Sequence, residues 1–135
     1  MFSIEKANYT HLDFWLTLDK YISLDQLKTK ISLQQCYIIS NENMPCGVLR
    51  YGLFWDSIPF VNMIYLQDSF RNKGLGKCAV TFWENEMLSQ GYKTVMTSTL
   101  STETAQHFYR KLGYKDAGCL ILDKEPLEII LVKNI

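Results

Sequence analysis

A basic turn containing two glycines is the feature of this sequence whose residue types and spacing most clearly suggest chemistry. It reads Arg71-Asn72-Lys73-Gly74-Leu75-Gly76 and lies between an apolar run and an amphipathic stretch. This order predicts a strand, a turn and then a helix. Glycines let the backbone approach a ligand, and a helix start offers unpaired N–H groups and the positive end of its dipole. With Arg71, Lys73 and Lys77 adding charge, the turn is predicted to hold an anion such as phosphate. A solvated basic turn is the alternative when the motif is considered alone.

Two nucleotide-binding patterns overlap this turn, and the surrounding sequence argues against both. Residues 74–79 formally match the dinucleotide fingerprint G-x-G-x-x-[GA]. That fingerprint expects an acidic residue at the end of the next strand to bind a ribose, but residues 95–99 carry no carboxylate. A P-loop is also disfavoured, because Cys78 stands where that motif requires Ser or Thr. A nucleotide-dependent oxidoreductase is therefore the least favoured function class.

A second pattern downstream strengthens the functional interpretation of the turn. The run is Ala105-Gln106-His107-Phe108-Tyr109-Arg110-Lys111-Leu112-Gly113-Tyr114. It resembles the A-x-x-F-Y-x-x-L-G-[FY] hallmark of the GNAT superfamily of N-acetyltransferases. Arg71-x-x-Gly74-x-Gly76 resembles the [RQ]-x-x-G-x-[GA] signature of the same superfamily. The motifs occur in the family's order, and the inferred elements are similar to the family's across essentially the whole chain.

The resemblance implies a fold and a cofactor. The fold is α/β, with a mixed central sheet of about seven strands in the order β-α-α-β-β-β-α-β-α-β-β, splayed between the fourth and fifth strands. Acetyl-CoA would enter that gap and pair its pantetheine arm with the main chain like an added strand. The implied cofactor-binding residues are Ile64, Tyr65 and Leu66 on the strand, Arg71, Asn72, Lys73, Gly74, Leu75, Gly76 and Lys77 at the pyrophosphate, and Thr102, where the family often has asparagine.

Tyr109 occupies the position of the family's catalytic acid. A phenol with an ordinary pKa of about 10 stays protonated at neutral pH and can give its proton to a departing thiolate. The oxyanion donor would be the backbone N–H of Leu66 or a neighbour. No general base is evident: Thr97 stands where one branch of the family has a glutamate, and water organised by Asn62 or Thr97 would deprotonate the amine. Three nearby acids are interpreted as solvated or capping groups: Asp56, Asp68 and Glu103.

The acceptor is expected to be a primary amine on a small molecule or a peptide. Its identity stays open among polyamines, antibiotics, amino acids and proteins. A carboxylate beside aromatic rings would suit a cationic amine. The candidate acceptor-pocket residues are Tyr21, Trp55, Asp56, Asn62, Thr97 and, from the same turns, Asp19. The predicted reaction is direct acetyl transfer in a ternary complex, and the alternative is a catalytically silent acyl-CoA sensor or regulatory module of the same fold.

Local patterns place these residues on secondary-structure elements. Apolar runs and alternation predict strands at Phe2–Lys6, Cys36–Ser40, Cys46–Phe54, Phe60–Leu66, Lys93–Thr99, Tyr114–Leu122 and Leu127–Lys133. Ser23 is predicted to cap one helix, and Ser101 or Thr102 to cap another. Gly91 and Gly113 suit the left-handed position that follows a helix. The glycine turn thus connects a strand of an antiparallel meander to a long helix.

Composition sets the broad class of the protein. Lys and Arg together number 14, as do Asp and Glu, so the formal net charge of zero gives no support to nucleic-acid or membrane-surface binding. The four cysteines, Cys36, Cys46, Cys78 and Cys119, lack metal-ligand spacing and are predicted to be buried or half-buried free thiols, with no metal site. At 135 residues we expect a single cytoplasmic domain, with a homodimer left open.

Overall fold

The computed structural model describes residues 1–135 and contains seven strands and four α-helices. The strands are β1 (Phe2–Lys6), β2 (Cys36–Asn41), β3 (Met44–Phe54), β4 (Ile58–Leu66), β5 (Thr94–Leu100), β6 (Lys115–Leu120) and β7 (Glu128–Asn134). The helices are α1 (Leu12–Leu18), α2 (Leu24–Ser32), α3 (Leu75–Ser89) and α4 (Ala105–Lys111), and short 3-10 helices lie at Tyr9–His11 and Asp68–Phe70. The strands and α-helices follow one another in the predicted order.

All seven strands belong to one mixed sheet, in the spatial order β1-β2-β3-β4-β5-β7-β6. β2 is antiparallel to both β1 and β3. β4 and β5 are parallel, with Phe60 opposite Met96 and Val61 opposite Thr97. Parallel neighbours require a crossover connection, which α3 supplies. β7 lies between β5 and β6 and is antiparallel to both. The predicted α/β class with a mixed sheet is confirmed.

Two hairpin turns in the meander use residues with positive φ. Glu42 and Asn43 (φ 50° and 64°) join β2 to β3, and Trp55 and Asp56 (φ 54° and 59°) join β3 to β4. Two consecutive left-handed residues form a type I′ turn, whose twist matches that of the flanking strands. Asn and Asp tolerate this conformation, whereas a tryptophan in it is unusual. The β3–β4 turn consequently presents an indole that is 78% exposed.

By their internal contacts, the residues divide into two compact units. The first comprises Met1–Gly52 and Met63–Trp83, and the second comprises Leu53–Asn62 and Glu84–Ile135. Strands β3 and β4 and helix α3 contribute residues to both units. The buried core of the first unit includes Trp15, Leu27, Ile38 and Val48. In the second unit the buried residues include Met87, Val95, Tyr109, Tyr114 and Leu131.

Three helix ends follow the signals in the sequence. Ser23 caps α2, because its side chain accepts a hydrogen bond from the N–H of Gln26 at 3.2 Å. Gly91 and Gly113 follow α3 and α4 with φ values of 95° and 96°, which favour glycine. None of the helices combines the length and the apolar character that crossing a membrane requires.

The predicted start of α4 is wrong. The helix begins at Ala105, and the residue before it, Thr104, makes no capping hydrogen bond with its side chain. The chain instead turns after β5, where the carboxylate of Glu103 accepts the backbone N–H of Leu100 at 3.0 Å. Thr102 therefore lies exposed in this turn and not at a helix start. Residues 100–103 form a separate turn, in which the N–H of Glu103 also donates to the carbonyl of Leu100 at 2.9 Å, and the helix begins only after it.

All four cysteines are free, but their burial departs from the prediction. Cys36 and Cys46 are buried, whereas Cys78 and Cys119 are exposed. Cys78 precedes the buried Ala79 on α3, and Cys119 lies on β6, a strand whose residues are all exposed. The prediction of half-buried thiols is thus wrong for these two, because the outward direction of a side chain depends on how its element packs.

Candidate active site

The glycine turn forms the start of α3. Asn72 and Gly74 adopt positive φ values of 60° and 81°, and the helix begins at Leu75. The N–H of Cys78 donates to the carbonyl of Gly74 at 3.1 Å. The N–H groups of residues 75–77 come before that bond, and the start of a helix leaves such groups without an intrahelical acceptor. These donors and the exposed Lys73 and Lys77 make the predicted anion site chemically reasonable.

Arg71 is held by the end of β4. Its Nε donates to the carbonyl of Leu66 at 3.0 Å, and a terminal nitrogen pairs with Asp68 at 2.9 Å. The guanidinium also lies 4.7 Å from the centre of the Tyr65 ring. Sequence reasoning treated Arg71 as one of three charges around an anion. The structure shows that two of its three nitrogens already have partners within the chain, the Leu66 carbonyl and the carboxylate of Asp68.

The final residues of β4 have backbone groups directed to opposite edges of the strand. The N–H of Gln67 donates to the carbonyl of Cys46 on β3 at 2.9 Å. Because neighbouring strand residues alternate, Tyr65 directs its backbone groups to the β3 side, and Ile64 and Leu66 direct theirs to the other edge. Since Arg71 occupies the Leu66 carbonyl, the N–H of Leu66 and both groups of Ile64 are the candidates for pairing with an extended ligand.

Gly47 of β3 is required by this arrangement, and sequence reasoning missed it. A Cβ atom at this position would lie 2.5 Å from Cδ2 of Leu66 and 2.9 Å from the carbonyl oxygen of Tyr65. The second contact is with backbone and cannot be relieved by a rotamer change. An isolated glycine inside a strand is a known sign of close backbone approach, so the signal was present in the sequence.

Gly74→Val is expected to weaken acetyl-CoA binding about tenfold, because a β-branched residue is strained at this φ and the loop must change shape. A Cβ at Gly74 would meet no atom within 4 Å, so the protein should still fold. Gly91→Val is the matched control, since Gly91 has a φ of 95° and equally open surroundings at the other end of α3. Titration calorimetry with acetyl-CoA measures both variants. Equal affinities for the two would contradict the role assigned to this loop.

Tyr109 is buried in the second unit and contacts Thr97. Only 3% of the tyrosine is exposed. Burial raises the pKa of Tyr109 to about 12, and a hydrogen bond with the side chain of Thr97 acts in the opposite direction. The Thr97 hydroxyl also donates to the carbonyl of Val61 at 3.0 Å, at the point where β5 pairs with β4. Tyr109 is therefore a fully protonated phenol at neutral pH, and its neighbour on β5 is itself fixed.

The other predicted acceptor residues differ in their surroundings. Exposed positions are occupied by Tyr21, Trp55, Asp56 and Asn62. Thr97, by contrast, is 2% exposed and has its hydroxyl engaged. Asp19 is not a pocket residue: it is 1% exposed and forms an ion pair with Arg50, whose Nε lies 2.7 Å from its Oδ2. Neither the pair nor its burial was predicted, although Arg50 is the one charged residue in the apolar strand β3.

More than half of the chain matches a known protein family. Residues 32–116 match the family model described as an acetyltransferase (GNAT) domain, and this span contains both motifs and Tyr109. The chain belongs to the GNAT family of acetyltransferases. A search of curated proteins with the sequence of this GNAT protein gives no match.

Solved structures of the GNAT fold resemble the chain over nearly its whole length. A GNAT acetyltransferase from Bacillus cereus ATCC 10987 is 24% identical, with a TM-score of 0.81 over 99% of this chain and 97% of that one. The PaiA N-acetyltransferase from Thermoplasma acidophilum, solved with coenzyme A, is 16% identical, with a TM-score of 0.84 over 100% and 99% of the two chains. A GNAT acetyltransferase from Elizabethkingia anophelis, solved with acetyl-CoA, is 16% identical, with a TM-score of 0.76 over 99% and 98%.

Proposed function

We propose that this GNAT protein transfers the acetyl group of acetyl-CoA to a primary amine by direct attack in a ternary complex. The observation that carries the proposal is the start of α3, where the N–H groups of residues 75–77 precede the first helical hydrogen bond, the Cys78 N–H to Gly74 carbonyl contact. Such a helix start, with Lys73 and Lys77 beside it, suits the pyrophosphate of coenzyme A. Proteins of the same fold that were solved with coenzyme A or acetyl-CoA support this choice of substrate.

The end of β4 would hold the rest of the substrate. Ile64 offers an N–H and a carbonyl for the amides of the pantetheine arm, which would add to the strand as an extended segment does. The N–H of Leu66 would donate to the oxygen that becomes negative when the amine attacks the thioester. Arg71 supports this arrangement by holding the Leu66 carbonyl, and its remaining donors would contact the pyrophosphate.

Tyr109 would supply the proton to the leaving group. The new C–N bond would form first, as the thioester oxygen becomes negative and the amine loses its proton to water. The C–S bond would then break, and the sulfur would take the phenolic proton, which solvent later replaces. A phenol whose pKa is about 12 gives up a proton reluctantly. Burial that raises the pKa of the phenol would also raise that of a thiol bound beside it, so the donor and the leaving group shift together. Thr97, with its hydroxyl bonded to Val61, is assigned to the support of Tyr109 rather than to the acceptor pocket.

Deprotonation of the acceptor amine is proposed to use water. Strands β4 and β5 carry no carboxylate, and the side chain of Asn62 is exposed. Asp68 and Glu103 are engaged with Arg71 and with the N–H of Leu100. The exposed residues Tyr21, Trp55, Asp56 and Asn62 remain the candidates for contacting a cationic small-molecule or peptide amine.

The missing base also favours a second candidate function. A GNAT fold without a carboxylate on β4 or β5 could bind acyl-CoA as a sensor or regulatory module and remain catalytically silent.

Two measurements separate the enzyme from the sensor. Calorimetry should detect binding of acetyl-CoA and none of NAD, and binding of NAD alone would contradict both candidates. The rate at which acetyl-CoA releases its thiol should rise when at least one amine is added. The panel contains a polyamine, an aminoglycoside, an amino acid and a tetrapeptide with a free N-terminal amine. Binding without turnover would favour the sensor.

Lys73→Ala is expected to weaken acetyl-CoA binding about fivefold at low ionic strength and much less at high ionic strength. The exposed ammonium would contribute a long-range charge contact to the pyrophosphate, and salt screens such contacts. Lys93→Ala is the control, because Lys93 is also exposed but lies between α3 and β5. Calorimetric titrations at two salt concentrations test the prediction. A loss of affinity that does not depend on salt would contradict a charge contact.

A further inference from the structure

A cluster of three side chains links Tyr114, the last residue of the second motif, to Glu84 and Lys133, which lie outside both motifs. The Tyr114 hydroxyl donates to Oε2 of Glu84 at 2.7 Å, and Nζ of Lys133 donates to Oε1 of the same carboxylate at 2.9 Å. Glu84 is 7% exposed and Tyr114 is 2% exposed. The Lys133 ammonium also lies 5.6 Å from the centre of the Tyr114 ring. Both oxygens of the carboxylate are thus satisfied, and both bonds are of the strong charge-assisted kind.

This cluster fixes the ring that packs on Tyr109. The centres of the Tyr109 and Tyr114 rings are 5.2 Å apart and the rings are nearly perpendicular, at 73°. Edge-to-face contact of this kind is favourable but allows sliding and tilting unless another contact prevents them. The bond from the Tyr114 hydroxyl to Glu84 provides that contact. A carboxylate 25 residues before Tyr109 in the sequence therefore holds the ring that packs on Tyr109.

The backbone of the same segment is locked by the end of α4. The N–H of Tyr114 donates to the carbonyl of Tyr109 at 3.1 Å, and the N–H of Gly113 donates to the carbonyl of Arg110 at 3.0 Å. With Gly113 at a φ of 96°, these two bonds form a Schellman motif, in which a side-chain contact across the motif is expected. Here that contact is the pair of tyrosine rings. The helix end fixes the backbone positions of Tyr109 and Tyr114, and the bond to Glu84 fixes the orientation of the Tyr114 ring.

We propose that Glu84, acting through Tyr114 with Lys133 as its counter-ion, is a positioning residue for Tyr109. The inference rests on the proposed function, because positioning matters only if the Tyr109 hydroxyl must reach the leaving sulfur. Misplacing a reacting group by about 1 Å can cost about a hundredfold in rate. Loosening the ring contact while leaving Tyr109 itself intact should therefore lower kcat and leave the binding of acetyl-CoA unchanged.

The test is a double-mutant cycle in the full-length protein. Glu84→Gln removes the charge but keeps an oxygen and a similar shape, and Tyr114→Phe keeps the ring and removes only the hydroxyl. Each is made in the wild-type and the Tyr109→Phe backgrounds, and kcat and the KM for acetyl-CoA are measured with the most active amine of the panel. In the wild-type background we expect kcat to fall about tenfold at constant KM. In the Tyr109→Phe background we expect no further fall.

The outcomes separate the inference from the proposed function. Suppose that Tyr109→Phe lowers kcat. If Glu84→Gln and Tyr114→Phe then lower kcat by the same factor in both backgrounds, or lower it in neither background, the positioning role is overturned and the acid role stands. If Tyr109→Phe retains full kcat, or no amine is turned over, the proposed acid is overturned and the inference falls with it. Urea unfolding midpoints identify a variant that fails to fold, and in that case the cycle with the other variant decides.

Discussion

Replacement of Asp19 by asparagine is expected to lower the free energy of unfolding by about 3–5 kcal/mol. The side chain of Asp19 is fully buried, and that of its partner Arg50 is 12% exposed. The carboxylate accepts hydrogen bonds from Nε of Arg50 at 2.7 Å, from Nε1 of Trp15 at 3.1 Å and from the backbone N–H of Tyr21 at 3.1 Å. An amide in its place would leave the guanidinium of Arg50 without a balancing charge in the interior.

Thermal and urea unfolding measure this effect, and the melting temperature should drop by roughly 10–20 °C. Asp13→Asn is the matched control, because Asp13 lies exposed on α1, the helix that Asp19 directly follows, and should change stability little. The double variant Asp19→Asn with Arg50→Met should be more stable than Asp19→Asn alone, since it leaves no unpaired charge in the interior and keeps an oxygen acceptor at position 19. Equal stability of Asp19→Asn and Asp13→Asn would show that the ion pair has no structural role.

The acid sensitivity of the protein should change with the same substitution. Burial by itself raises the pKa of Asp19, but hydrogen bonds from Arg50, Trp15 and Tyr21 outweigh it and leave the pKa below the ordinary value of 3.8. A carboxyl group with a lowered folded-state pKa stabilises the fold above its unfolded pKa, and that contribution is lost as the pH falls through the folded value. The wild-type protein should therefore lose stability below about pH 4. In Asp19→Asn, the share of this acid-induced loss of stability that comes from protonation of Asp19 should be absent.

Tyr109→Phe is expected to lower kcat by about 10²–10⁴-fold, the usual contribution of a positioned general acid. The KM for acetyl-CoA should stay nearly constant, because the hydroxyl would act in the transition state and not in binding. Tyr92→Phe is the control, since Tyr92 lies between α3 and β5, outside both motifs. Steady-state rates of thiol release measure both variants. An unchanged kcat in Tyr109→Phe would exclude the phenol as the acid.

The pH dependence of the reaction provides a second readout for Tyr109. Because burial raises its pKa to about 12, the phenol should remain protonated well above the range in which an ordinary tyrosine ionises. The rate should therefore show no alkaline decline from this group up to about pH 10. A decline centred near pH 10 that disappears in Tyr109→Phe would show that the side chain is solvated during the reaction.

Much of the fold was predictable because its signals are local. Glycines at 91 and 113 mark helix ends through their positive φ, and Ser23 marks a helix start through a bond three residues away. The glycine turn between β4 and α3 was identified in the same way. The start of α4 was not, since residues 100–103 form a turn of their own before the helix, and Ser101 and Thr102 suit a turn as well as a cap.

Side-chain partners were harder to predict than elements. Glu84 lies four residues after Val80 and three before Met87 on the buried side of α3, so the sequence marks it as a polar residue in an apolar stripe. Its partners, Tyr114 and Lys133, are 30 and 49 residues away, and no local pattern points to them. Asp19 was predicted to be a candidate residue of the acceptor pocket for the same reason, since its partner Arg50 lies 31 residues further along the chain.

The sequence by itself determined the order of strands and helices, the glycine turn at the start of α3 and the place of Tyr109 on α4, because each depends on backbone geometry or spacing within a few residues. Only the tertiary structure decided that β7 lies between β5 and β6, and that Tyr109 packs against a tyrosine fixed by Glu84. Those features depend on which distant segments the sheet brings together. A charge or hydroxyl has the same appearance in a sequence whether its partner is water or a buried side chain.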